Sequence, residues 1–289
     1  MNSSLRWIFL VLLLLSFPAA CLPSKKLTVG SAATLLEEVA KSAYKQSDLR
    51  VIREGMPAYL MLMDGMIEAW PGNERLLLAA AQGYSSFASI FTEDDDYARE
   101  LYRRAKDYAL RSLEKRGFKD PINKPFDDFK EELKRFGKKE VPNLFWTATC
   151  WGSWISFNLD SMEAMAALPR VEQMIQRVLE LDEGFYYGGS HLFMGVWHAS
   201  RPKALGGDLK KSREHFFKAL DLGKGKFLMA YIYYAEHYAR KAQDRDLFTS
   251  TLGKVLETPV DVLPELTLLN AVAQKRAKEL LRRVEEFFE

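Results

Sequence analysis

One apolar pattern, repeated four times along the chain, constrains the fold more than any other feature. In each copy, apolar or small residues stand at positions i, i+4 and i+7, a spacing that puts all three on one face of an α-helix. The four copies are Ala98/Tyr102/Ala105, Val171/Ile175/Val178, Ser212/Phe216/Ala219 and Phe248/Leu252/Val255. Each copy is predicted to lie on the second helix of a helix pair, where small residues let the two helices approach closely.

The rest of the chain after Ser31 also has helical periodicity, and no stretch sustains the apolar/polar alternation of a strand. An all-α fold is therefore expected. The first helices are predicted at Thr34–Tyr44, from an Asp48 cap to about Trp70, and from Glu74 to about Ile90. Pro57 should kink the second helix or mark its true start. The acidic turn 92–96 should cap the helix that follows it.

The small–aromatic–small spacing resembles the second helix of the tetratricopeptide repeat. Counterparts of the first helix are Gly83–Tyr84, Gly152 with Trp154, and Gly195 with Trp197. Inserts at 119–139 and 199–207 interrupt the regular period. The resemblance implies degenerate tetratricopeptide-like repeats, about four helix pairs with extra flanking helices, in a single domain over residues 31–289.

The N-terminal residues are typical of an export signal. Arg6 precedes an apolar run over 8–15, and small residues lead into Cys21. The run is shorter than the ~20 residues that a spanning helix needs. Residues 1–20 are therefore predicted to be a signal peptide that is removed, and residues 21–30 a tether. The site resembles the lipobox of bacterial lipoproteins, apart from Pro18, and this resemblance implies acylation of Cys21; the alternative is plain secretion with a free thiol.

Cys150, in an aromatic helical run, is expected to be a small buried apolar residue rather than a disulfide partner.

Charge and motifs argue against several functions. The chain has 41 Lys and Arg against 39 Asp and Glu, interleaved along its length, which gives no basis for nucleic-acid binding. No catalytic or cofactor motif occurs, so neither an enzyme nor a cofactor is expected. His191 and His198 lie two helical turns apart, about 10.5 Å at 1.5 Å per residue, which is too far to share one metal ion. Gly206 and Gly207 are expected to form a turn before an Asp208 cap.

Large aromatic side chains are concentrated in two predicted helices. On the first, apolar residues occupy more than one face, so the helix is either fully packed in the core or borders an apolar channel or subunit interface. The second helix leaves the same two alternatives open. The candidate residues for a channel or interface are Trp146, Trp151, Trp154, Phe157, Tyr186, Tyr187, Phe193 and Trp197.

Three groups of residues, in this order along the chain, indicate a more specific relationship than the repeat pattern alone. They are 56–60 with 70–73 and 76–84, then 145–154, and then 202–220. Together they resemble the T component of TRAP transporters (the TatT family), which consists of bacterial periplasmic lipoproteins. The resemblance implies a partnership with the periplasmic substrate-binding protein (P component), a homotrimer with a hydrophobic channel in each subunit, and delivery of an apolar small ligand or lipid. The expected function is thus a membrane-anchored periplasmic TRAP component. The alternative is a scaffold lipoprotein that binds only envelope proteins.

Overall fold

A computed structural model describes residues 25–288, so the predicted signal peptide and Cys21 lie outside the described residues. All regular secondary structure in this range is helical, which confirms the all-α prediction. Short 3₁₀ turns occupy Lys138–Glu140, Lys203–Leu205 and Pro264–Leu266, and a π-helical segment occupies Tyr234–Ala239. The α-helices are α1 (Lys25–Tyr44), α2 (Leu49–Ala69), α3 (Glu74–Phe91), α4 (Asp95–Lys115), α5 (Phe126–Leu133), α6 (Val141–Ser156), α7 (Met162–Asp182), α8 (Phe185–Ser200), α9 (Leu209–Leu222), α10 (Leu228–Tyr233), α11 (Arg245–Glu257), α12 (Thr267–Arg282) and α13 (Val284–Phe287).

Side-chain caps set several of these boundaries. The carboxylate of Asp48 accepts hydrogen bonds from the backbone of residues 50 and 51, and Asp94, in the acidic turn, caps α4 in the same way. Asp208 caps α9 as predicted. Two predicted boundaries differ from the structure. Helix α1 begins at Lys25 rather than near residue 34, and α2 continues through Pro57, which therefore does not mark its start.

The repeated apolar pattern forms the core face of the second helices. None of its twelve residues exposes more than 6% of its surface. Helices α3 and α4 run antiparallel, since Ser112 Oγ near the end of α4 donates to the carbonyl of Glu74 at the start of α3 (3.3 Å). Helices α6 and α7, and α8 and α9, pack as further pairs. The arrangement is consistent with degenerate tetratricopeptide-like repeats, and the assignment to that repeat class remains a prediction.

The buried residues form two clusters along the chain. The larger is built mainly from α2 to α7, and the smaller from α9 to α13. The C-terminal helix α12 returns to contact α1 and α2, so the two ends of the described chain meet. Cys150 is fully buried in the larger cluster, and burial raises the pKa of its thiol to about 12, which confirms the interpretation of this residue as an apolar core side chain.

Candidate functional site

Tyr186 lies where the two buried clusters meet, and its ring packs against both. It is the central residue of a group of aromatic side chains, which we call the Tyr186 cluster. Its ring centroid lies 4.9 Å from that of Trp146, in an edge-to-face arrangement, and 5.9 Å from that of Phe227. The cluster comprises Phe145, Trp146, Phe185, Tyr186, Tyr187 and Phe227.

The backbone at the start of α8 is left-handed. Tyr186 has φ/ψ of 49°/52°, Tyr187 has 57°/36°, and Gly188 has 76°/28°. A left-handed conformation costs a non-glycine residue roughly 1–2 kcal/mol, and residues held in this way persist only where the surroundings enforce them. At Gly188 a Cβ would also approach Ala219 Cα to 3.1 Å. The strained turn directs two adjacent aromatic rings into the seam between the clusters.

The phenol of Tyr186 is in a desolvated setting. Burial raises its pKa well above the ordinary value, and the nearby phenols of Tyr44, Tyr187 and Tyr233 add to the effect. Its hydroxyl has no hydrogen-bond partner within residues 25–288, although the residue as a whole keeps some exposed surface. Helices α1, α8 and α10 therefore bring tyrosines together at this point, and the hydroxyl of Tyr186 is among those that are unused. An apolar wall with a few polar groups is the usual composition of a small-molecule site.

A model of one protein family matches most of the chain. The family is the TRAP transporter T-component, and the match covers residues 45–288. The chain belongs to this family. Membership places the T component in a TRAP transport system and confirms the resemblance of its sequence motifs. An uncharacterized protein of Treponema pallidum (strain Nichols) is 24% identical to it over 267 residues, which cover 84% of this chain and 81% of that protein.

None of the helices within residues 25–288 combines the length and the hydropathy that a membrane crossing needs.

The predicted aromatic residues separate into three groups in the T component. Trp146, Tyr186 and Tyr187 belong to the Tyr186 cluster. The ring centroids of Phe193 and Trp197 on α8 lie 5.7 Å apart in a tilted arrangement. Phe193 packs against α6, where a Cβ at Gly152 would come within 2.9 Å of its ring. On α6, Trp151 is buried and Trp154 lies under the Lys106 ammonium (3.7 Å to the ring centroid). Phe157, which directly follows α6, has its ring centroid 5.0 Å from that of Tyr102.

The eight candidate residues differ in burial, and a role in a channel or interface stays a prediction for them. Trp151, Trp154 and Trp197 are buried as core residues would be. The others, Trp146, Phe157, Tyr186, Tyr187 and Phe193, keep part of their surface exposed. The sequence did not single out Tyr44, Phe145 or Phe227 as partners of Tyr186. Phe145 could have been included because it directly precedes Trp146, whereas Tyr44 and Phe227 are distant in sequence and carry no local signal.

Three histidines of the T component lie together between α8 and α9. His191 Nδ1 lies 2.9 Å from His215 Nδ1, and His191 Nε2 lies 3.3 Å from the Glu183 carboxylate. Because an ionised carboxylate only accepts, His191 donates from Nε2 and accepts from His215 at Nδ1. The ring of His198 stacks on His215 at 5.6 Å, so His215 lies between the two histidines whose separation was predicted.

The environment of His191 and His215 disfavours their charged forms, because burial lowers the pKa of both side chains. Burial, followed by the neighbouring His191 and His198, lowers the pKa of His215 to about 4. Within residues 25–288, no group of His, Cys, Asp or Glu side chains has the geometry to hold a metal ion.

Proposed function

We propose that this T component is a periplasmic lipoprotein that docks the substrate-binding protein of a TRAP system and holds or passes an apolar small ligand. Family membership supports a role in a TRAP system. The finer parts of the proposal are the docking partner, the ligand, the acyl anchor on Cys21 and a homotrimeric assembly. In this proposal residues 1–20 are removed, and the helical domain begins close to the anchor.

The Tyr186 cluster is the observation that most supports a ligand site. Six aromatic rings from three separate segments meet there, and the strained backbone at Tyr186 and Tyr187 is of the kind that concentrates at ligand sites. The six rings of the cluster contact one another, and the hydroxyl of Tyr186 is unused. An apolar ligand with a hydrogen-bond acceptor suits such a surface.

Native mass spectrometry of the mature protein tests the ligand and the oligomeric state together. A co-purifying apolar molecule and a trimeric mass are expected. The Tyr186→Ala variant should lose the molecule, because the central ring of the cluster is removed. Tyr97→Ala is the matched control, since Tyr97 is exposed at the start of α4 and makes no ring contact within residues 25–288. Retention of the molecule by Tyr186→Ala would place the ligand elsewhere.

Docking is tested by mixing the protein with a TRAP periplasmic substrate-binding protein (P component). A complex at micromolar concentration is expected, because stacked helix pairs present extended surfaces that bind proteins. If no complex forms and no ligand co-purifies, the scaffold alternative, in which the chain binds only other envelope proteins, replaces the transport role.

The anchor is tested by metabolic labelling with a fatty acid. Label should be incorporated into the wild type and be lost on Cys21→Ser, whereas Cys150→Ser should leave it unchanged because that thiol is buried. Label that never appears would favour plain secretion.

A further inference from the structure

One side of helix α2 is apolar and exposed. Its six residues follow one another at spacings of three and four, which place them in line along the helix. They are Val51, Gly55, Ala58, Leu62, Gly65 and Ala69, and we call them the α2 face. Val51 and Leu62 each expose 58% of their surface, and Met61 beside them exposes 74%. A contiguous exposed apolar surface marks an interaction site more often than isolated exposed residues do.

Packing within residues 25–288 does not use the α2 face. Helix α2 contributes its opposite side to the core, through Ile52, Leu60, Met63 and Ile67. Glycine inside a helix is less stable than Ala by roughly 0.5–1 kcal/mol, yet a Cβ at Gly55 or Gly65 would meet no atom within 4 Å. The described fold therefore does not require glycine at either position, whereas close approach of a second helix from outside would require it.

The α2 face is symmetric about position 60. Its residues form three pairs, at nine, five and two positions on either side: Val51 with Ala69, Gly55 with Gly65, and Ala58 with Leu62. In an antiparallel pair of α2 helices with a two-fold axis at this position, the members of each pair come from different copies and lie side by side. Leu62 then packs beside the partner's Ala58, a large side chain beside a small one, and the glycines let the two backbones approach.

Arg50 and Glu68 carry charge on one border of the α2 face with nearly the same symmetry. They lie ten positions before and eight positions after position 60, about five helical turns apart, so both are on the same border. Glu68 is exposed and has no ion-pair partner within residues 25–288, while Arg50 uses Nε for Glu54 (2.8 Å) and keeps 85% of its side chain exposed. The antiparallel arrangement brings Arg50 of each copy next to Glu68 of the other. Exposed ion pairs contribute little stability, but they favour this register over a parallel one, in which like charges meet.

We propose that the α2 face binds a second copy of this protein, with the two α2 helices antiparallel about a two-fold axis near residue 60. One helix from each copy contributes a small interface, so we expect association to be weak and concentration-dependent. This two-fold contact differs from the three-fold contacts of the proposed homotrimer and does not depend on them. Where both contacts form, trimers associate in pairs.

Cysteine cross-linking of the mature protein with a short bis-maleimide tests the arrangement position by position. In the two-fold pair, the two copies of residue 62 lie about 6 Å apart along the helix axis, whereas the two copies of residue 51 lie about 27 Å apart, at 1.5 Å per residue. Leu62→Cys should therefore form cross-linked dimers and Val51→Cys should not, while a mixture of Val51→Cys with Ala69→Cys should form them again. The wild type gives the background from Cys21, and Met162→Cys, at an 89% exposed position on α7, gives the background from random collision.

Sedimentation velocity measures the association itself. Leu62→Arg puts a charge at the centre of the α2 face without touching the core, and Met162→Arg makes the same change at an exposed position on α7. At high protein concentration the mass of the wild type and of Met162→Arg should be about twice that of Leu62→Arg, because only Leu62→Arg loses the two-fold contact. The circular dichroism spectra of all three should agree, since both substituted side chains lie outside the core.

Three results would overturn the inference. One is cross-linking of Val51→Cys as strong as that of Leu62→Cys, since the helices would then lie parallel. Another is cross-linking of Leu62→Cys no stronger than that of Met162→Cys at high protein concentration. The third is a Leu62→Arg variant that keeps the wild-type mass but no longer binds the TRAP substrate-binding protein, which would assign the α2 face to that partner. None of these results bears on a ligand at the Tyr186 cluster, so the two proposals fail separately.

Discussion

The left-handed conformation at Tyr186 predicts an inverted order of stability for two small substitutions. In a right-handed helix, Gly is less stable than Ala by about 1 kcal/mol. At Tyr186, with φ of 49° and ψ of 52°, Ala retains a left-handed penalty of roughly 1–2 kcal/mol that Gly does not pay. Subtracting the conformational-entropy cost of Gly leaves Tyr186→Gly more stable than Tyr186→Ala by about 0.5–1 kcal/mol.

Both variants should be less stable than the wild type, because each loses a ring that contacts five others. Large-to-small aromatic substitutions in cores cost about 3–5 kcal/mol. Tyr186→Phe keeps the ring and loses a hydroxyl without a hydrogen-bond partner, so its free energy of unfolding should stay within about 0.5 kcal/mol of the wild type.

Urea unfolding followed by circular dichroism measures these differences, with Ala166→Gly as the control. Ala166 is exposed within the right-handed helix α7, so this substitution should cost about 1 kcal/mol. The reasoning is refuted if Tyr186→Ala proves more stable than Tyr186→Gly while the control behaves normally, since the turn would then carry no left-handed strain.

Three further predictions concern stability and reactivity. Asn270→Ala should lower the free energy of unfolding in urea by about 2–3 kcal/mol, because the buried amide accepts from Leu228 N (3.0 Å) and donates to two backbone carbonyls. A loss below about 0.5 kcal/mol would show that those backbone groups find other hydrogen-bond partners in the variant. The free energy of unfolding should fall as the pH is lowered from 6.5 to about 4, because His215 and His237 take up protons in the unfolded chain but stay neutral in the folded protein. His215→Gln should flatten this pH profile, and an unchanged slope would exclude His215 as a cause. Cys150 should react with maleimide only after unfolding, and fast labelling of the native protein would contradict its burial.

Helical class, several helix boundaries and much of the core were predictable because they depend on short stretches of chain. An i, i+4, i+7 spacing needs eight consecutive residues to define a helix face, and all four copies are buried. Caps at Asp48 and Asp208 act within three residues. The helical extension to Lys25 was missed, because its sequence has weak amphipathic periodicity and the helix is supported by packing against α2 and α12.

The candidate site could be predicted from the sequence only in part, because it is assembled from segments that are distant along the chain. Sequence singled out Trp146, Tyr186 and Tyr187 as aromatic candidates but could not show that they meet while Trp154 and Trp197 pack elsewhere. The left-handed turn is formed by residues that do not favour it, so its strain is maintained by the surrounding packing.

The sequence by itself determined a helical chain of the TRAP T-component family, with the core faces of its second helices and a buried Cys150. Only the tertiary structure brought Tyr186 between the two clusters, placed His215 between His191 and His198, and paired Arg276 with Glu236. The reason is the range of the interactions. Periodicity and capping act over a few residues, whereas Arg276 and Glu236 are 40 residues apart and meet only when whole helices have packed.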